Sequence, residues 1–250
     1  MKTVKSLDGT KLVYEAVGSG KPVVLVGGAF NNRSSTEPLG KLLAESGLTA
    51  VSYDRRGRGD SLDTDNYAVD REVEDLATVL HEVGSTWVYG MSSGALLALK
   101  AASLGVVVDR IAVYEPPLGA PNAEAFADEQ AERIRGGRSD EAVEAFLATT
   151  GLPAQGIAEM REGPSWIYLT ALAHTLPYDA RIVARTTLET VGRVEAATLV
   201  VDGAASSPFL RDAAAAIVDA MPNATGVSLE GQTHNVDVAV LAPVLAKFFS

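Results

Sequence analysis

The segment Gly90-Met91-Ser92-Ser93-Gly94 carries the spacing G-x-S-x-G, and it sits between a compact apolar run, Thr86 to Tyr89, and a helical pattern, Ser93 to Ser103. A serine at such a strand-to-helix turn is lifted clear of the sheet at the amino end of a helix, and small neighbours give the sharp turn its room. The spacing selects Ser92, not Ser93, as the nucleophile; the plainer reading is an N-cap serine at a glycine-rich helix start. A serine hydroxyl attacks poorly at neutral pH without a base. The chain offers three histidines. His81 lies inside a helical stretch, and His174 lies in a long region without strand patterns. His234 lies in Gly231-Gln232-Thr233-His234-Asn235, directly after the last strand pattern. Loops at the carboxyl edge of an open α/β sheet are where ligands bind, so His234 is the expected base.

These residues need a sheet to position them. Period-2 patterns and Val-rich runs predict strands near Thr3 to Ser6, Lys11 to Val17, Val23 to Val26, Thr49 to Tyr53, Thr86 to Tyr89, Asp109 to Tyr114, Ala197 to Val201 and Thr225 to Leu229. Asp8-Gly9 turns the first pair into a hairpin. The later strands are short and uninterrupted, as burial on both faces of a parallel sheet requires. Helical patterns separate them, near Glu37 to Ser46, Asp70 to Val83, Ser93 to Ser103, Leu210 to Ala220 and Val236 to Phe249. The alternation predicts an α/β class fold, a doubly wound, mostly parallel sheet of about eight strands flanked by helices. Between Leu118 and about Thr190 no strand pattern occurs. That block reads as an all-helical insertion, a lid at 118–190, dividing a core of 1–117 and 191–250. Its aromatic residues Phe126, Phe146, Trp166, Tyr168 and Tyr178 are expected to pack helices together or to reach the substrate. Phe30, Met91, Trp166 and Tyr168 are the substrate contacts expected here.

Composition excludes several other chemistries. The 250 residues contain no cysteine, which removes disulfides, thiolate metal sites and thiol nucleophiles. With three histidines there is little room for a metal site, and none is expected. A net charge of -11 opposes a nucleic-acid or anionic-membrane surface, because both need a basic footprint. Apolar runs such as Val106 to Val108 fall far short of the roughly 20 residues of a membrane span. The amino-terminal MKTVKSLDGTKLVYEAVG does not read as a signal peptide. The expectation is a cytoplasmic protein whose partner is a small molecule.

Four motifs now resemble the α/β-hydrolase family with a helical cap, over essentially the whole chain. They are Val23-Val24-Leu25-Val26-Gly27-Gly28-Ala29, the stretch Tyr53-Asp54-Arg55-Arg56-Gly57-Arg58-Gly59-Asp60-Ser61, the turn at Ser92, and the Gly231 to His234 loop. Gly27-Gly28 departs from the His-Gly of many members. The resemblance implies an oxyanion hole from the backbone N–H groups of Ala29 and Ser93, and it implies that the Asp54 to Ser61 stretch is a structural turn and not an anion site. It also implies an acid beyond the strand at Ala197 to Val201, yet that register places Ser206 there, which cannot serve. Glu115, in Tyr114-Glu115-Pro116-Pro117, follows the preceding strand, where the similar haloalkane dehalogenases carry a glutamate; it is the favoured acid. Asp202 and a dyad without an acid stay open, and Asp237 lies only three residues past His234. The implied activity is cofactor-free hydrolysis of an ester, lactone or thioester of a small apolar molecule through an acyl-enzyme. A small-molecule receptor, a C–C hydrolase, a cofactor-free haloperoxidase and a lyase use the same fold.

Overall fold

The computed structural model describes all 250 residues. Strands β1 (Lys2–Lys5) and β2 (Lys11–Gly18) pair antiparallel around Asp8-Gly9. Gly9 there takes a φ of 87°, and Asp8 accepts a 2.9 Å bond from the Thr10 N–H. Six parallel strands follow: β3 (Pro22–Val26), β4 (Thr49–Tyr53), β5 (Trp87–Met91), β6 (Arg110–Tyr114), β7 (Ala197–Gly203) and β8 (Ala224–Leu229). Their order across the sheet is β1-β2-β4-β3-β5-β6-β7-β8, with β2 antiparallel to β4.

Alternation along each strand supplies two cores. Val24, Val26, Val88, Ile111, Val113 and Val200 face one side. There they meet α2 (Val69–Val83), α3 (Ser93–Ser103) and α10 (Pro208–Ala220). Val23, Leu25, Tyr89, Ala112, Tyr114 and Val201 face the other, against α1 (Glu37–Glu45) and α11 (Val238–Phe249). Burial of both faces explains why β3 to β7 read as compact, largely apolar runs, whereas β8 lies at the sheet edge and is mostly exposed or half-buried.

Between β6 and β7 the chain is helical: α4 (Ala123–Arg135), α5 (Ser139–Thr149), α6 (Ala154–Arg161), α7 (Ser165–Ala171), α8 (Leu176–Ala184) and the short α9 (Leu188–Val191). The segment has a small core of its own in Ala142, Val143, Trp166, Ala173 and Leu176. Its last two helices also reach beyond that core. Ile182 and Val191 join the main core beside α2 and α3, so the end of the helical segment is anchored on the sheet side.

The arginine-rich stretch after β4 is structural, as expected. Arg55 Nε and Nη2 bond both oxygens of Glu72, at 2.6 and 2.8 Å, and Arg56 grips Asp75 in the same way at 2.7 and 2.8 Å. The Ser61 hydroxyl accepts from the Val13 N–H and donates to the Asp54 carbonyl. Asp60 pairs with Arg33 at 2.7 Å. Asp179 on α8 accepts from Arg55, Arg58 and the Ser93 hydroxyl, at 2.8, 2.7 and 2.7 Å. Burial pushes the Asp179 carboxyl up, but the two guanidiniums and Ser93 outweigh it and hold it below the usual range. This buried network ties the helical segment to the start of α3. Removing one partner of a buried ion pair strands the other charge, so Glu72→Ala should lower unfolding free energy by about 3 to 5 kcal/mol in denaturant titrations. A loss under about 1 kcal/mol would show that the network contributes little to stability.

Candidate active site

Three of the four non-glycine residues with left-handed φ are Phe30 (58°), Ser92 (55°) and Glu115 (46°); the fourth, Asn122, precedes α4. Such backbone costs about 1 to 3 kcal/mol each and persists only where its surroundings enforce it. Each of the three follows a strand, β3, β5 or β6, at the carboxyl edge of the sheet. Ladder hydrogen bonds pin two of them: the Ser92 N–H donates to Tyr114 O at 2.9 Å, and the Glu115 N–H donates to Val201 O at 3.0 Å. The turn at Ser92 depends on its glycines. A Cβ on Gly94 would collide with the Val26 carbonyl, and one on Gly90 would lie 2.6 Å from Ala95 Cα. A Cβ on Gly28 would come within 3.0 Å of Ser92 Cβ, so the β3 loop lies directly against the expected nucleophile.

Glu115 and His234 meet. His234 Nδ1 lies 2.7 Å from Glu115 Oε2, while the other carboxylate oxygen accepts from the Gly203 N–H at 2.8 Å and from the Ser206 hydroxyl. Glu115 is fully buried, whereas His234 is half-buried. Burial pushes the Glu115 carboxyl up, and the bonds from His234, Ser206 and Gly203 more than offset it, holding it below the ordinary carboxylate range. The neighbouring Tyr114 hydroxyl donates to Thr233 O at 2.6 Å, so β6 supplies both the partner of His234 and a tether for its loop.

The other candidates separate cleanly. Asp202 accepts from its cross-strand neighbour Ser228 at 2.9 Å and does not bond His234. Asp237 caps α11 through the Ala239 N–H. His81 is exposed on α2, and His174 bonds the Ala171 and Gly57 carbonyls at 3.1 and 2.9 Å. No hydrogen bond joins Ser92 Oγ to His234 in this structure. The N–H groups of Ala29 and Ser93 donate to no group of the chain.

Of the expected substrate contacts, Trp166 is the buried one. It is 7% exposed within the helical segment's own core, and its Nε1–H donates to Asp140 at 2.5 Å. Tyr168 donates its hydroxyl to Phe30 O at 2.8 Å, and Met91 is half-buried against the core beside α1 and α11. Two surface clefts, one at the β2–β4 edge and one between α10 and β7–β8, contain none of the site residues. Sequence reasoning missed the roles of Ser206 and Tyr114 in holding the Glu115 carboxylate and the His234 loop.

The alpha/beta hydrolase family profile matches residues 23–244. The chain belongs to that family. Along its full length this α/β hydrolase is similar to the crystal structure of an alpha/beta hydrolase from Sphaerobacter thermophilus, with 42% identity, complete coverage of both chains and a TM-score of 0.90. A thermophilic esterase from Thermogutta terrifontis shares the fold, at 19% identity and a TM-score of 0.80, covering 100% of this chain and 98% of that one. Local likeness reaches a non-heme chloroperoxidase from Kitasatospora aureofaciens, 29% identical over 90 residues, 31% of this chain and 33% of that protein. The chain spans about a third of the length of the curated relatives it matches. No helix is long and apolar enough to cross a membrane.

The Glu115 environment has a consequence for stability. In the unfolded chain this carboxyl titrates near its ordinary 4.5, and in the fold it titrates lower, so between the two the unfolded state binds the extra proton. The stability it contributes is complete above about pH 5 and is lost as pH falls through the folded value. Unfolding free energy should therefore fall more steeply on acidification in the parent protein than in Glu115→Gln. Parallel curves would contradict the assignment of Glu115 as a strongly held carboxylate. Ser206→Ala removes a hydrogen bond to a charged group and should cost about 1.5 to 3 kcal/mol, read from denaturant midpoints.

Proposed function

We propose that this α/β hydrolase is a serine hydrolase that cleaves an ester, lactone or thioester of a small, mainly apolar molecule. The observation that carries the proposal is the 2.7 Å contact between His234 Nδ1 and the buried Glu115 carboxylate, at the same sheet edge as Ser92. With Nδ1–H donated to Glu115, the proton-free nitrogen is Nε2, and that is the tautomer a general base needs. In the reaction, Nε2 takes the Ser92 proton as Oγ attacks the carbonyl, and Glu115 stabilises the resulting imidazolium without becoming protonated. The Ala29 and Ser93 N–H groups hold the oxyanion, worth about 3 to 4 kcal/mol of barrier each. His234 then protonates the leaving group and activates the water that releases the acyl group.

A second reading, a cofactor-free haloperoxidase on the same residues, is favoured by the local likeness to the chloroperoxidase. Peroxide-dependent halogenation that outpaces ester turnover would support it. Tight ligand binding with negligible turnover would instead support a receptor.

A fluorophosphonate probe should label Ser92, and p-nitrophenyl acetate should be hydrolysed with Ser92→Ala inactive. Glu115→Gln should fold normally and lose about 10²- to 10⁴-fold in kcat. Absence of labelling in the folded protein, or near-normal turnover by either variant, would sink the proposal.

A further inference from the structure

Phe30 is the residue after the Ala29 oxyanion donor, and it holds a backbone conformation that bulky side chains rarely adopt, with φ at 58°. What enforces it comes from two directions. From the core, Asn31 closes the turn: its Oδ1 accepts the Gly28 N–H at 3.1 Å, and its own N–H donates to Gly28 O at 3.3 Å. From the helical segment, the Tyr168 hydroxyl on α7 donates to Phe30 O at 2.8 Å. The Phe30 ring also meets Phe146 of α5 edge-on, with centroids 5.2 Å apart and planes at 90°. Ala29 and Phe30 both pack on the small core formed by Ala142, Val143, Trp166, Ala173 and Leu176.

The geometry points to Tyr168 as a positioning residue: by fixing the Phe30 carbonyl, with Phe146 against the ring, it holds the Ala29 N–H at the angle the oxyanion requires. The inference rests on the reading of Ser92 as nucleophile and Ala29 as donor. Its physical basis is that a strained turn relaxes when one of its restraints is removed. Phe30 O and the Asn31 N–H belong to one peptide unit, and that N–H donates to Gly28 O, which shares its own unit with the Ala29 N–H, so relaxation of the first unit turns the second; a donor aimed at a developing charge loses effect steeply with misplacement. The helical segment then serves the chemical step itself as well as covering the site. A tyrosine that merely touched substrate would instead act on binding of the ground state and the transition state alike.

Tyr168→Phe keeps the ring and removes only the hydroxyl. With p-nitrophenyl acetate it should lower kcat about 10- to 100-fold and leave KM within about twofold. Affinity for phenylboronic acid, which forms a tetrahedral adduct on the active serine, should fall by a similar factor. Phe146→Leu should move the same two quantities in the same direction by less, with thermal unfolding confirming that both variants fold. A rise in KM at constant kcat would overturn the inference by making Tyr168 a substrate contact, and unchanged kcat and boronate affinity in both variants would overturn it outright. The underlying reading fails separately, if Ser92→Ala still turns over; in that case the Tyr168 inference falls with it.

Discussion

A carboxylate taken wholly out of water is costly unless donors replace the water it loses, and Glu115 is held in that way. Three donors from three places in the chain converge on it: the β7 end supplies the Gly203 N–H, the following turn supplies Ser206, and the loop after β8 supplies His234. Each of those segments is fixed by satisfying this one charge. The interaction therefore does structural and chemical service together, since the ionised form that it stabilises is the form that orients an imidazole.

The rest of the site follows from how parallel strands end. Backbone ladders extend one residue past β5 and β6, so that Ser92 is bonded to β6 and Glu115 to β7, and each is then forced into a left-handed turn. The strain sits where three neighbouring strands present side chains to the same edge, and it is carried by two buried cores beneath. The Arg55, Arg58 and Asp179 network reaches the same place from the helical segment, through the Ser93 hydroxyl. The site is thus bounded by the sheet below and by helices bonded to its loops above.

Much of this was legible in the residues, and the exceptions have a common cause. Strand and helix positions follow from local periodicity, and the turn at Ser92 follows from glycine spacing, because both are properties of adjacent residues. Glu115 was favoured through the resemblance to haloalkane dehalogenases, which carry a glutamate after the same strand, while its contact with His234 joins residues 119 apart in sequence. Ser206 was set aside as the wrong residue type at the position where an acid was awaited, yet its hydroxyl meets the acid 91 residues away in sequence. Asp202 could not be discarded from sequence, since only the register that pairs it with Ser228 shows where its carboxylate goes. The partner of the Trp166 indole N–H, Asp140, lies 26 residues away in sequence. Likewise the helical block looked uniform, although Leu118, Ile182 and Val191 pack into the main core while Ala142, Val143, Trp166, Ala173 and Leu176 form a separate one. Long-range pairing decided every one of these cases.

The central claim is that the buried Glu115 carboxylate holds the His234 imidazole through Nδ1. Proton NMR of the ligand-free protein at neutral pH tests it directly, because a proton shared between an imidazole and a carboxylate is shifted far downfield. The account predicts such a resonance, assignable to His234 Nδ1–H and moved strongly upfield in Glu115→Gln, where the acceptor is neutral. A His234 ring protonated at Nε2, or a downfield proton indifferent to that substitution, would contradict it.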